Sequence, residues 1–521
     1  VSLKEIFTHA EEIRCLAGEM PTMDAAILRF LLAVTMTVFY RFDVNGNADE
    51  ISEDNDSEPI EAISRWKEYW DQGRFTERVF IEYLEQYRER FWLFHPKTPF
   101  FQVPDLQYGT RYGLNSLRGN VKESENHTTR HHFSVAETEQ ISYGEATRWL
   151  IHLNAYAVNL KQDKSAPGSN NAVGTGRLGR MGLLLVDGEN LFQIIMLNLT
   201  VLKDGNELWG RPRPIWEQQL RTDQGHEIAP PDNLPEAYTI QSRRATLSRE
   251  NGMVEGFQAI GGDYCSLTNA FYEQMTVWQK EEDKKTKTVS YSPKSFQPSV
   301  QAWREFPTIF GEQEMGHVPG IILWLHSLQS TGCVPDNKKI TLQTVGLIFG
   351  KMSYTFSDCY YDSITLASGL LESLDCVWNE IIIEEIEKCK KISDILLNSF
   401  SNDIVTLIYG ESDSKKNNAK KNNIKQKQIR EYLSEKYFSA IDHPFRSWLI
   451  EIDPHDSNHE ASCVNWERQS YQIARKVTEE YTMTLSGKTF TVREIDKHLL
   501  SIPQIMNEFT KQLNKIYRFE I

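Results

Sequence analysis

No Cys-x-x-Cys pair, no Gly-x-Ser-x-Gly elbow and no Walker A lysine occurs in this 521-residue chain. The seven cysteines (Cys15, Cys265, Cys333, Cys359, Cys376, Cys389 and Cys463) are odd in number and scattered. Such a set argues for reduced thiols rather than a disulfide framework or a zinc knuckle. Positive charge is scarce as well: 57 Lys and Arg stand against 72 Asp and Glu, a formal net charge of −15. That balance excludes a protein that coats nucleic acid non-specifically, but not a local basic groove on an acidic body. Long apolar runs are also missing. The longest, Ala25 to Phe42, is interrupted by Arg29 and Arg41 and falls short of a clean run of ~20 residues, so no membrane span is expected. No basic segment followed by an apolar stretch opens the chain, so no secretory signal is expected and the location read from the sequence is cytoplasmic.

Large apolar side chains are plentiful, with 12 Trp, 25 Phe and 21 Tyr, enough to build substantial cores and to exclude disorder throughout. At roughly 100–200 residues per domain, two or three folding units are expected. Thr22 is positioned to cap a helix that runs apolar through Leu32, and an acidic loop from Asp43 to Ser57 precedes amphipathic segments up to Trp92. From about Pro96 to Tyr361, Gly and Pro punctuate short apolar runs. One of these, Gly182-Leu183-Leu184-Leu185-Val186 before Asp187-Gly188, reads as a strand. Beyond Asp362 the pattern becomes helical, with Leu366, Leu370, Leu371, Leu374, Val377, Ile381 and Ile382 mostly three or four apart. Similar stripes run through 424–452, 463–483 and 492–517, and residues 411–423 read as a polar low-complexity loop. The expected fold is α+β, a large irregular mixed N-terminal domain over 1–364 followed by a C-terminal four-helix bundle over 365–521.

Gly174-Thr175-Gly176-Arg177-Leu178-Gly179 matches G-x-G-x-x-G, but a dinucleotide site needs a strand before it and a helix after it. Here a loop precedes and a β-like run follows, so the context fails. The glycines keep another use: without Cβ atoms the backbone can approach a partner closely and offer N–H groups. Asp453, His455, Asp456, His459 and Glu460 could contribute to a His/Asp metal-dependent phosphohydrolase or nuclease, although one such cluster supplies only a fragment of that site. A solvated loop between two helices is the simpler reading. Arg111, Arg118, Lys122, Arg130, Arg177, Arg180, Arg211, Arg213, Arg221, Arg243, Arg244 and Arg249 all fall in the irregular body, where Arg suits bidentate phosphate contacts but also pairs with abundant carboxylates. The run Lys415, Lys416, Lys420, Lys421, Lys425, Lys427 reads as a solvated linker. No catalytic site and no cofactor are expected.

Several stretches together resemble one family. They are Ile13-Arg14-Cys15-Leu16-Ala17-Gly18 with Pro21-Thr22-Met23-Asp24-Ala25-Ala26, and Arg90-Phe91-Trp92-Leu93-Phe94-His95-Pro96 with Thr98-Pro99-Phe100-Phe101-Gln102. Further along come Ala146-Thr147-Arg148-Trp149-Leu150-Ile151-His152-Leu153, the Gly174–Gly179 loop with Gly188-Glu189-Asn190-Leu191-Phe192, and Tyr238-Thr239-Ile240-Gln241-Ser242-Arg243-Arg244. In order and spacing the chain resembles the CasA family, the large subunit of the type I-E CRISPR surveillance complex, Cascade. The resemblance implies a non-enzymatic subunit that reads the protospacer-adjacent motif (PAM) of double-stranded target DNA and assists duplex opening. It also implies partners: a guide RNA, the other Cascade subunits and a recruited helicase-nuclease, with guide pairing carrying most of the sequence information. The element near the guide RNA 5′ end is similar to 126–132, with Asn126, Arg130 and His132, where the family usually has an aromatic residue in place of Arg130. The minor-groove loop is similar to Gly174, Thr175 and Gly176 with Arg177 beside it. The β-hairpin wedge is similar to 350–354, with Lys351, Met352 or Ser353 at its tip. The family's motif-reading lysine does not map, since no lysine lies between Lys203 and Lys280; Arg243, Arg244 and Arg249 are in that neighbourhood.

Overall fold

Pro21 sits in the first turn of helix α1 (Pro21–Arg41), where its missing N–H is not needed; Asp24 in the first turn and Arg41 in the last complement the helix dipole. Thr22 is not the cap. Met20 holds the N-cap position without a side-chain bond, and the Asp24 carboxylate instead accepts the Gly18 N–H at 2.6 Å. The Thr22 hydroxyl turns to His152 Nε2, 3.1 Å away. Burial pushes the His152 imidazole down to about 3, so this contact is with the neutral ring. α1 is long and apolar enough to cross a membrane, yet 89% of its apolar window is buried inside the fold. Phe30 lies at its centre, within 5.5–6.4 Å of the Phe91, Phe100, Phe101 and Trp216 rings, each in edge-to-face geometry.

The computed structural model describes residues 1–51, 58–117, 122–124, 127–128, 140–156, 175–220, 225–311, 317–349, 356–371, 376–409, 416–495 and 498–517. The chain divides into two units, Val1–Ile364 and Thr365–Ile521. Around α1 the first unit arranges β1 (Thr110–Gly113), helix α2 (Tyr143–Tyr156), β2 (Leu183–Val186), helix α3 (Leu191–Asn198), β3 (Arg243–Glu250), β4 (Met253–Gly261), β5 (Trp278–Glu282), β6 (Val289–Pro293), β7 (Lys339–Phe349) and β8 (Phe356–Ala367). These strands form an antiparallel β1-β4-β3 sheet, a β5-β6 hairpin and a β8-β7-β2 sheet. β2, the run read from sequence as a strand, is buried at all four positions. Asn198 fastens α3 to it: its side chain accepts from Val186 N at 2.9 Å and donates to the Val186 and Ile194 carbonyls at 2.7 and 2.8 Å. Leaving those backbone groups unpaired would cost about 1–3 kcal/mol each.

The second unit is helical. α4 (Val377–Ile395) passes through a π turn (Leu396–Phe400) into α5 (Ser401–Tyr409), and α6 (Lys416–Glu451), α7 (His459–Met483) and α8 (Ile502–Tyr517) follow. Ile382, Ile386, Cys389, Ile392 and Leu396 recur at three and four and are all buried. Trp448 stacks on Trp466 at 5.4 Å, with Phe445 edge-on to both. Three expectations fail here. Leu366, read as the start of a helical stripe, lies in β8, and Leu370 and Leu371 lie in a 3-10 turn, so the helix itself begins at Val377. Residues 416–423, expected as loop, belong to α6; Asn and Lys cost only tenths of a kcal/mol each when they extend an existing helix. The apolar stretch after Val492 starts not as helix but as a hairpin, β9 (Arg493–Ile495) with β10 (His498–Leu500).

Candidate nucleic-acid interface

The described end of the glycine loop is a tight turn. Gly179 N–H donates to the Gly176 carbonyl at 2.9 Å, and Leu178 N–H donates to the Ala155 carbonyl in the last turn of α2, at 2.8 Å. A Cβ on Gly179 would lie 2.6 Å from Thr175 Cβ, so the turn closes this tightly only with glycine there. Thr175 is half-buried and Gly176 is buried. The loop leads into β2, a strand and not a helix, so the G-x-G-x-x-G match lacks the helix N-terminus a dinucleotide site needs.

Arg177 turns inward. Its Nε lies 2.7 Å from Glu273 Oε1, and its other nitrogens reach Tyr272 OH and Cys265 Sγ. Glu273, fully buried, is also held by Arg29 Nη2 at 2.8 Å, and the Arg29 guanidinium lies over the Tyr238 ring. Burial opposes the Glu273 charge, but the two arginines outweigh it and hold its pKa below the ordinary value. Burial likewise opposes the Arg177 charge, and Glu273, Tyr272 and Cys265 outweigh it and raise its pKa. Sequence reading paired this arginine with DNA; its observed partner is a carboxylate 96 residues away.

Two other arginines also face inward, while Arg211, Arg213 and Arg249 find partners at the surface. Arg244 is fully buried and pairs with Asp263 at 2.8 Å. Arg243 is buried and donates to the Ser242 carbonyl, and burial lowers its pKa to about 10. Arg211 pairs with Glu50, and Arg213 with Asp232 and Glu236. Arg249 lies over the Phe94 ring. Arg111 and Arg180 keep exposed side chains.

Strand pairing brings three segments to one place. Gly182, at the end of the glycine loop, donates to the Lys294 carbonyl at 2.8 Å and accepts from Val277 N–H at 3.2 Å. Val277 and Lys294 are the two roots of the β5-β6 hairpin, and a Cβ on Gly182 would lie 2.7 Å from the Lys294 carbonyl oxygen. Ser295 Oγ donates to the Arg180 carbonyl at 2.8 Å. In the next sheet Leu183 pairs with Val345 in antiparallel register, so β7 runs past the loop's end toward Phe349. The β5-β6 tip was missed by sequence reading. It carries exposed Lys284, Lys285 and Lys287, with Asp283 accepting the Lys285 and Thr286 N–H groups and Lys287 pairing with Glu282 at 3.2 Å. The lysine cluster itself, Lys284-Lys285-Thr286-Lys287, was the available signal.

Asn126, Arg130, His132, Gly174, Lys351, Met352 and Ser353 lie outside the described residues, as do Arg118 and Arg221. Lys122–Ser124 and His127–Thr128, flanking Asn126, form a two-stranded ribbon. In the second unit, His455 and Asp456 occupy the connection between α6 and α7, and His459 begins α7 with its ring edge-on to Trp378. Among the described residues no group of three or more His, Cys, Asp or Glu is placed to hold a metal ion.

The fold is similar to solved structures along nearly its whole length. Cse1 of Thermobifida fusca superposes with a TM-score of 0.80 at 24% identity, covering 99% of this chain and 94% of that one. A crystal structure of CasA from Thermus thermophilus gives 0.72 at 20%, covering 99% and 95%. A chain of a CRISPR RNA-guided surveillance complex gives 0.63 at 14%, covering 98% and 94%. In sequence, the CRISPR-associated protein CasA/Cse1 of Thermus thermophilus is 24% identical over 464 residues, 86% of this chain and 84% of that protein. The family model for CRISPR-associated protein Cse1 matches residues 1–477, and the chain belongs to that family.

Proposed function

We propose that this chain is the large subunit of a type I-E Cascade complex, without chemistry of its own, that reads the PAM of double-stranded DNA, helps open the duplex and recruits a helicase-nuclease. The observation that carries this reading is the antiparallel register of Leu183 with Val345. Through it the end of the glycine loop and the strand leading to 351–353 lie side by side at one end of a sheet, and Gly182 ties the lysine-bearing hairpin to the same point.

The proposed division of labour follows from the chemistry. Thr175 and Gly174 offer backbone to the minor groove, whose code is degenerate, so several motifs are tolerated. Gly176 is the buried pivot of the turn and Arg177 its inward anchor. Arg180 and the tip lysines position phosphates without reading sequence. Lys351, Met352 and Ser353 act as the wedge, where an inserted side chain unstacks a base step at a cost of about a few kcal/mol. Asn126, Arg130 and His132 face the guide RNA 5′ end.

The test is titration of the assembled complex, with guide RNA, against duplexes differing only in the motif. Gly174→Trp is expected to weaken binding to motif-bearing duplexes by about tenfold or more, equivalent to ~1.4 kcal/mol, with assembly intact. Equal affinity of the parent complex for every motif variant overturns the proposal.

A further inference from the structure

Beneath the glycine loop lies a cavity of about 30 Å³, lined by Arg29, Asn154, Arg177, Leu178 and Tyr238 among others. One water needs roughly 10–15 Å³ on this measure, so there is room for a pair of waters or one halide ion. Among the described residues the charges of the cluster on its wall do not balance. Two guanidinium side chains, Arg29 at 3% and Arg177 at 7% exposure, face one carboxylate, Glu273, at 0%. Both Glu273 oxygens are occupied, Oε1 by Arg177 and Oε2 by Arg29 Nη2. Arg29 Nη1 is buried and has no hydrogen-bond partner among the described residues. A buried charged donor without an acceptor is costly, and an uncompensated positive charge away from water costs more.

From this geometry we infer that the cavity is a binding site for a small monovalent anion of the halide class, held by Arg29 Nη1. The bound ion restores neutrality to the Arg29–Glu273–Arg177 cluster. It also braces the glycine loop from below, since Arg177 and Leu178 form part of the wall. One negative charge matches the single unbalanced positive charge of the cluster, whereas a divalent oxyanion such as sulfate would overcompensate it. The site is independent of whether the loop reads DNA.

Two measurements on the full chain test it. Crystals grown with sodium bromide in place of chloride are expected to show an anomalous peak within hydrogen-bonding distance of Arg29 Nη1. In solution, replacing gluconate by chloride at constant ionic strength is expected to raise the melting temperature saturably by about 1–3 °C, as a ligand bound only to the folded state must. Sulfate at matched ionic strength gives no saturable step, and Arg29→Gln removes the chloride response. Should Arg29→Gln fail to fold, the bromide map of the parent protein decides. Water-only density in the cavity, or melting indifferent to chloride against gluconate, overturns the inference.

Discussion

Replacing Glu273 by Gln leaves shape and size nearly unchanged but strips the only carboxylate from between Arg29 and Arg177 in the described cluster. Removing one partner of a buried ion pair costs about 3–5 kcal/mol, because the charge left behind stays desolvated. Here two guanidinium groups are left, so the upper half of that range is expected. With a melting entropy of roughly 2.1 cal/mol/K per residue over the Val1–Ile364 unit, that is a fall of about 5–7 °C in its melting temperature. Chemical denaturation read by tryptophan fluorescence gives the same loss as a shift in midpoint at constant slope. The pH dependence adds a second readout. Burial opposes the Glu273 charge but Arg29 and Arg177 prevail, so its folded pKa lies below the ordinary 4.5. A carboxylate with a depressed folded pKa contributes stability that is complete above the unfolded value and is lost as pH falls through the folded one. The gap between parent and Glu273→Gln is therefore constant from pH 8 to about 5 and closes only in more acid solution. A loss under about 1 kcal/mol at pH 7, or a gap that closes near neutrality, refutes the account of Glu273 as the buried clamp of the glycine loop.

In the helical unit, burial holds the Glu385 carboxyl up at about 7 in spite of the Lys388 ammonium and Trp466 Nε1 that contact it. A carboxyl with a raised folded pKa makes the fold more stable as pH falls from above 7 toward 4.5, and Glu385→Gln is expected to abolish that slope in melting temperature between pH 8 and 5. Gly182→Ala sets a Cβ 2.7 Å from both the Lys294 carbonyl oxygen and the Phe296 ring, so backbone must move; a loss of about 1–3 kcal/mol in denaturation is expected, with weaker discrimination between motifs. Lys284→Ala with Lys285→Ala is expected to lower the slope of log K against log salt by about 1–2 in duplex titrations, while leaving the ranking of motifs untouched.

Much of the scaffold is legible in local pattern, because local pattern is what makes it. Leu183–Val186 is a strand since four consecutive apolar residues must be buried on both faces. Ile382 through Leu396 are helical since their spacing gives one apolar stripe. What depends on distant partners is not legible in this way. Thr22 looks like a cap until His152, 130 residues on, takes its hydroxyl. The start of α6 looks like a linker, because propensity near zero does not reveal that a helix already formed downstream will extend through it. The loop at 174–179 is recognisable from its glycines, yet the function of Arg177 depends on Glu273, which no window around the loop contains.

The charge count explains why backbone, rather than arginine, would have to lead in such an interface. Four of the arginines singled out in the irregular body, Arg177, Arg211, Arg213 and Arg244, are engaged with carboxylates of this same chain, and Arg243 is sealed from water. Swinging Arg244 outward would take from Asp263 the guanidinium it pairs with, and swinging Arg177 outward would leave Glu273 with Arg29 alone; breaking a buried pair costs about 3–5 kcal/mol. On a chain of net −15, exposed cations near the loop among the described residues include Arg180 and the lysines of the β5-β6 tip, the far end of a hairpin whose roots flank Gly182. Such a layout attracts a polyanion weakly and at one spot, which disfavours binding wherever DNA happens to be. Peptide N–H groups carry no net charge to repel or to trap, so a loop that leads with them gains affinity only where the groove shape admits it. Discrimination without general stickiness is what this distribution of charge favours, and partner subunits carrying the guide would supply the remaining affinity.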